Sequence, residues 1–282
     1  MQILAAPQEL SEQCLDWLAG GRTVALVPTM GYYHAGHEDL MRHARGIAER
    51  LVVSLFVNPA QFGPGEDLDA YPRDAGRDAA VAEACGADVL FMPKADAMYA
   101  PYHGTWVDAP DMAKKLCGRS RPLHFRGVCT VVLKLFLLSR ANVAVFGNKD
   151  WQQQAIIRRM ARDLNVPIRI ETRPIVREAD GLALSSRNVY LTPEERAQAP
   201  EICRGLSYAR EMVNCGEKDA TLLRKAVLGR WAERLPLGRL DYIEIVHPET
   251  LEPVSRVDSP ALMACAVRLG KARLIDNILL FP

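Results

Sequence analysis

Through roughly the first 175 residues the chain alternates short apolar runs with longer stretches of helical spacing. Residues 23–27 are β-branched and apolar and predict a strand that stops at Pro28. Residues 37–48 then set Leu40, Met41, Ala44 and Ile47 at helical intervals. Residues 51–57 are almost continuously apolar, as in a strand buried on both faces of a parallel sheet. The alternation continues with a helix over 75–85, a strand over 89–91, a helix over 128–138, a strand over 143–146, a helix over 151–164 and a strand over 168–170. Strands separated by helices predict right-handed βαβ units, and hence a Rossmann-like, doubly wound α/β sheet.

After Thr192-Pro193 the texture changes. Helical stretches over 195–213 and 220–233 precede β-like runs at 242–246, 261–269 and 272–280, which predicts a smaller α+β domain. The organisation expected is a nucleotide- and substrate-binding domain over 1–178 and a C-terminal domain over 179–282 that closes over the site.

Composition narrows the classes without choosing among enzymes. Hydrophobic residues are 49% and charged residues 24%, a globular balance, and a net charge of +1 gives no basic surplus for nucleic acid. The most apolar stretch, 128–138, is short and carries Lys134, so no membrane span is expected. Glu9, Glu12 and Asp16 near the start do not resemble a signal peptide. The 7 cysteines are scattered without a C-x-x-C pair, which argues against a disulfide framework and for the cytoplasm.

Ligands of doubly wound sheets lie beyond the carboxyl ends of the strands, and the unusual polar residues fall there. Met30-Gly31-Tyr32-Tyr33-His34-Ala35-Gly36-His37 follows the first strand. Two histidines three apart at a helix start, with open main-chain N–H groups and Gly36 between them, suit phosphate; a zinc pair or ordinary turn histidines are the alternatives. Asn58 and Gln61 follow the second strand, and with Gln153 they form a set of neutral amides suited to a hydroxylated acid. Gly147, Lys149 and Asp150 open the helix at 151, where Lys149 supplies a point charge and Asp150 either caps the helix or bonds a ribose. Leu184-Ser185-Ser186-Arg187 offers hydroxyls and a guanidinium for phosphate oxygens, or a solvated loop. Arg121 and His124 precede a helix and either gather an anionic substrate or face solvent.

The paired His34–His37 and Ser185–Arg187 signatures resemble the HIGH-motif nucleotidyl-transferase superfamily. With Glu66-Asp67-Leu68, Tyr71-Pro72-Arg73, Asp241-Tyr242 and Arg273-Leu274-Ile275-Asp276-Asn277, the chain resembles the pantoate–β-alanine ligase family. That resemblance implies attack of the pantoate carboxylate on the ATP α-phosphate, giving pantoyl adenylate and pyrophosphate, then displacement of AMP by β-alanine. It implies ATP binding by Met30, Gly31, His34, Gly36, His37, Gly147, Lys149, Asp150, Val176, Leu184, Ser185, Ser186 and Arg187, with His37 the proton donor. It places Gln61 and Gln153 on pantoate, Gln61 and Asn58 near β-alanine, and Arg121 and His124 close by. It further implies Mg2+ accompanying ATP and a homodimer. Tyr32-Tyr33, Cys117, Arg119, Leu123, Asn148 and Trp151 depart from the family's usual residues without removing a catalytic group. Another HIGH-type transferase, or a catalytically dead relative acting as an ATP-binding scaffold, are the competing readings. The amides disfavour the first, and the intact His34, His37, Lys149 and Arg187 disfavour the second.

Overall fold

The structure, a computed structural model, describes residues 1–281. In chain order its elements are β1 (Gln2–Leu4), α1 (Pro7–Ala19), β2 (Val24–Thr29), α2 (Ala35–Ile47), β3 (Arg50–Leu55), α3 (Ala75–Ala84), β4 (Val89–Phe91), α4 (Ala95–Met98), α5 (Pro110–Ala113) and α6 (Cys117–Ser120). They continue with α7 (His124–Ser139), β5 (Val143–Gly147), α8 (Trp151–Asp163), β6 (Arg169–Arg173), α9 (Pro193–Gln198), α10 (Glu201–Asn214) and α11 (Ala220–Arg234). The last three are β7 (Gly238–Val246), β8 (Ala261–Leu269) and β9 (Ala272–Leu280).

Two compact units result. One comprises Met1–Ala113, Arg121–Asn148 and Ile156–Pro174; the other comprises Lys114–Ser120, Lys149–Ala155 and Ile175–Pro282. The second unit thus takes in two short segments, and residues 175–178, that a single cut after residue 178 assigns to the first. Side-chain bonds explain their grouping. The Trp151 indole donates to the Pro248 carbonyl, and Lys115, Arg119 and Ser120 pair with Glu252, Glu244 and Asp241.

The first unit is a six-stranded parallel sheet in the order β1-β4-β3-β2-β5-β6. Ala25, Val27, Val53, Val143 and Val145 pack with Met41 and Ala44 of α2 and with Ala82 and Cys85 around α3. The interleaved Val24, Leu26, Val52 and Ala144 are equally buried on the opposite face, where α1 and α7 meet the sheet. From β2 the chain winds outward through β3 and β4, then returns to place β5 and β6 on the other side. The switch point therefore lies between β2 and β5.

β2 runs through Pro28 to Thr29 instead of stopping at the proline. Along a strand, successive residues direct their N–H and C=O groups to alternate neighbours. The Thr29 carbonyl accepts from Phe56 just beyond β3, and the Val24 carbonyl accepts from Asn142 just before β5. Pro28 therefore turns its missing donor toward β5, so the strand pairing to β3 survives. Pairing of β2 with β5 ends at Leu26 and Ala144, so the two strands part at their carboxyl ends.

In the second unit β7-β8-β9 form an antiparallel sheet. Ile243, Ile245, Met263, Cys265 and Val267 pack against Ile202 and Leu206 of α10 and Leu223, Val227 and Trp231 of α11. The helix expected over 195–213 is two helices, α9 and α10, because the Pro200 ring cannot donate within a continuous helix and clashes with the preceding turn. The fold class, a doubly wound parallel sheet with a smaller α+β unit, is as the pattern predicts.

Candidate active site

His34 caps α2. Its Nδ1 accepts from the Gly36 N–H at 3.1 Å, and the His37 Nδ1 accepts from the His34 N–H at 3.3 Å. The two imidazoles form a reciprocal capping box with ring centroids 4.1 Å apart. A ring nitrogen that accepts carries no hydrogen, so each ring is the Nε2–H tautomer in this arrangement. Open main-chain donors were expected here. Instead the His34 and Gly36 N–H groups end on imidazole, and the His37 N–H ends on the His34 carbonyl at 2.8 Å. Each imidazole Nε2–H is polarised by the N–H donated to the far side of its ring.

The turn before the cap has Gly31 at φ +89 and Tyr32 at φ +53, two successive left-handed residues. It is held by Asp78 of α3, whose oxygens accept from the Tyr32 and Tyr33 N–H groups at 2.7 and 2.8 Å. A side chain at Gly31 would meet Asp78 Oδ2 at 2.8 Å, so glycine is required for space as well as for φ. The Tyr33 hydroxyl is buried 3.1 Å from Thr29 Oγ1, and burial pushes its pKa well above the ordinary value.

The amides after β3 are not equivalent. Asn58 caps the 3-10 turn Pro59–Gln61 through the Ala60 N–H and also accepts from the Tyr99 hydroxyl at 2.8 Å. Its Nδ2 donates to the Gly127 carbonyl and to Gln61 Oε1, each at 3.1 Å. All four of its hydrogen-bonding positions are used, so Asn58 braces this turn and the Gln61 side chain. Burial raises the Tyr99 hydroxyl to about 12 despite the Asn58 bond, so Tyr99 remains a donor and fixes which way the Asn58 amide points. That in turn orients Gln61, whose Nε2 lies 2.9 Å from Met30 Sδ. Gln61 thus sits directly against the nucleotide-motif residue Met30.

Arg121 and His124 also gather on Gln61. The Arg121 guanidinium grips both oxygens of Glu66 at 2.7 Å, and His124 Nδ1 donates to the Gln61 carbonyl at 2.9 Å. Burial raises the Glu66 carboxyl, but the Arg121 bond and charge outweigh it and hold the pKa below the ordinary value. Arg121, expected to meet an anionic substrate, is therefore engaged by an internal carboxylate. Gly147 ends β5, in register with Arg173 of β6, and Arg173 makes a paired bond to Asp39 of α2.

The remaining candidates belong to the second unit. Lys149 lies 3.0 Å from Asp150 Oδ2, its carbonyl accepts from Asn277 Nδ2 at 3.0 Å, and Gln153 is half-buried on the first turn of α8. Val176 and Leu184 face each other across a short hairpin through a 3.0 Å bond from the Leu184 N–H to the Val176 carbonyl. Ser185 then caps the 3-10 turn Ser186–Tyr190 by accepting from the Arg187 N–H at 3.2 Å. Arg177 grips Asp276 at 2.7 and 2.8 Å, and Arg196 joins Glu178 and Asp180 at 2.8 and 2.6 Å, so the hairpin carrying this loop is tied at both edges. Asp78, Tyr99, Arg177 and Arg196 escaped the sequence pattern, since isolated charges on helices or loops look solvated until their partners are known.

The family model described as pantoate-beta-alanine ligase matches residues 2–279. A pantothenate synthetase of Desulfovibrio desulfuricans is 72% identical over 280 residues, 99% of each chain, and one of Nitratidesulfovibrio vulgaris is 62% identical over the same span. Among solved structures, a pantothenate synthetase from Thermus thermophilus aligns with a TM-score of 0.93 at 44% identity, covering 100% of both chains. A pantoate-beta-alanine ligase from Francisella tularensis, solved with beta-gamma ATP and beta-alanine, aligns with a TM-score of 0.79 at 30% identity over 99% of this chain and 97% of that one. With a match this complete in length, at identities this high, the chain belongs to the pantoate–beta-alanine ligase family.

Proposed function

We propose that the protein ligates (R)-pantoate to β-alanine at the expense of ATP, through pantoyl adenylate, releasing AMP and pyrophosphate. The observation that carries this reading is the His34–His37 capping box beside the sheet's switch point, in a chain that matches the ligase family from end to end. The pantoate carboxylate attacks the α-phosphorus, and the bond to the bridging oxygen of the β-phosphate breaks. His34 and His37 direct their Nε2–H groups at phosphate oxygens that gain charge as this happens, with His37 the proton donor. Lys149 and Arg187 stabilise the departing pyrophosphate, and magnesium enters as part of the MgATP substrate. The β-alanine amine then attacks the acyl carbon and expels AMP.

ATP is assigned to Met30, Gly31, His34, Gly36, His37, Gly147, Lys149, Asp150, Val176, Leu184, Ser185, Ser186 and Arg187. Gln61 and Gln153 hold pantoate, with Gln61 also near β-alanine. Asn58, Arg121 and His124 act through Gln61 by fixing its side chain and its carbonyl. A carboxylate nucleophile needs no general base, so positioning and charge stabilisation supply the rate. The reading also carries a cytoplasmic homodimer. The test is to supply ATP, pantoate and β-alanine and follow AMP and pantothenate. Pantoate-dependent AMP is expected; its absence, or ADP in its place, overturns the assignment.

A further inference from the structure

Asp78 is 1% exposed, and main chain takes both of its oxygens: the Tyr32 and Tyr33 N–H groups donate to Oδ2 and Oδ1. These two consecutive N–H groups, in a turn whose residues Gly31 and Tyr32 have positive φ, converge on one point and form a concave nest that suits an anion. At a turn leading into a nucleotide-binding helix, such a nest is where a phosphate oxygen would settle. Here a carboxylate of the protein already occupies it. The neighbouring Arg77 holds the next peptide, donating to the Tyr33 carbonyl at 3.3 Å, with its guanidinium 5.6 Å from the centroid of the Tyr32 ring. The start of α3 thus holds both the donors and the acceptor of the turn, and the Asp78 charge is stabilised by the positive end of its own helix.

We propose that Asp78 is a positioning residue for the nucleotide, an internal anion that fills the backbone nest. By doing so it sets the path of residues 31–33, and with it the direction in which the His34 and His37 rings leave the cap. Phosphate is thereby kept off the Tyr32 and Tyr33 N–H groups and left to the imidazoles. This inference rests on the proposed ATP site but is separate from the identity of the acid and the amine.

The test compares wild type with Asp78→Asn and Asp78→Ala in the full chain, with and without formate, a carboxylate small enough for the emptied nest. Affinity for a non-hydrolysable ATP analogue is measured by calorimetry, alongside steady-state AMP release. Asn keeps the shape but presents a donor to one N–H; Ala leaves the nest vacant. Both should lower kcat/KM for ATP by about 10- to 100-fold and weaken the analogue similarly, while KM for β-alanine stays within about twofold. Formate should restore Asp78→Ala several-fold and leave Asp78→Asn and wild type unchanged, a rescue that a packing role would not show. Wild-type ATP parameters in both variants overturn the inference. So does parallel loss of ATP and β-alanine parameters without formate rescue, and so does failure of both variants to fold. If wild type binds the analogue but makes no pantothenate, the ligase reading fails while the calorimetric comparison still decides the role of Asp78.

Discussion

Gly127→Ala separates packing stability from substrate geometry. Gly127 lies inside α7, where alanine ordinarily gains about 1 kcal/mol over glycine. Its carbonyl accepts from Asn58 Nδ2, and its α-carbon faces the Pro59–Gln61 turn. A methyl built there would stand 2.3 Å from the Ala60 carbonyl oxygen and 2.6 Å from the Gln61 nitrogen, both main-chain atoms. Restoring an ordinary contact of 3.4 Å requires the turn to retreat by about 1 Å. Overpacking costs about 1–3 kcal/mol, partly offset by the helix gain, so the variant should fold with a loss of about 0–2 kcal/mol. Activity should suffer far more, since a displacement of about 1 Å at a positioning group costs about 100-fold. The matching control is Gly229→Ala in α11, where nothing lies within 4 Å of the added methyl: it should stabilise by about 1 kcal/mol and leave rates unchanged. The assay is initial AMP release with pantoate varied at saturating ATP and β-alanine, beside thermal unfolding of both variants. A Gly127→Ala enzyme with kcat/KM for pantoate within about threefold of wild type would falsify the placement of pantoate on Gln61.

Lys149→Ala should reduce pantoate-dependent pyrophosphate release by about 1,000-fold, as expected for loss of a charged transition-state contact. Its partly exposed pair with Asp150 contributes little to the fold, so stability should change by no more than about 0.5 kcal/mol; an unchanged first half-reaction removes Lys149 from the mechanism. Glu66→Gln should cost about 1–3 kcal/mol near neutrality by leaving Arg121 unpaired. The folded-state pKa of Glu66 is depressed, so its contribution is present above the ordinary 4.5 and fades as pH falls through the lower folded value. Urea titrations should show the gap between wild type and variant constant from about pH 6 to 8 and closing below 4.5; a gap that persists unchanged at about pH 3 refutes the ion-pair account. Gly205→Ala would put a methyl 2.2 Å from Trp231 Nε1, which donates to the Glu201 carbonyl, so the second unit should lose about 1–3 kcal/mol in thermal unfolding, opposite in sign to Gly229→Ala.

The three helix glycines also show how far the sequence could be read. All sit in apolar or amphipathic helices and look alike as letters; only the neighbour each one faces distinguishes them. Strands such as β4, β8 and β9 were legible to the residue because branched apolar runs bounded by turns leave little choice. β1 was not, being three residues with Gln2 and Ile3 exposed on an edge. The first-unit residues proposed to meet nucleotide and acid are legible as types at strand ends, because the parallel sheet delivers them there. Their supports are not. Asp78 lies 45 residues beyond Tyr33, Tyr99 41 beyond Asn58, and Asp276 99 beyond Arg177, and no local periodicity links such pairs. The bracing partners of Asn58 are hidden for the same reason, since an amide's spare capacity depends on partners contributed by distant segments.

Those supports give the first-unit site a common logic. Asn58 and Arg121 are each backed by a neighbouring group that fixes their orientation. Tyr99 is held protonated, so Asn58 must present Oδ1 to it and Nδ2 to Gln61. Glu66 is held ionised, so Arg121 cannot swing toward a substrate anion and instead lies against the Gln61 carbonyl. A free guanidinium beside the amides would pair with the pantoate carboxylate and blunt it as a nucleophile. By committing Arg121 to Glu66, the fold keeps the surroundings of Gln61 structured without placing a competing cation on the attacking group. The commitment of Arg121 to Glu66 therefore supports the proposed attack of a carboxylate on phosphate, in which the hydrogen-bond donors and charge assigned to His34, His37, Lys149 and Arg187 belong at the phosphates and not at the acid.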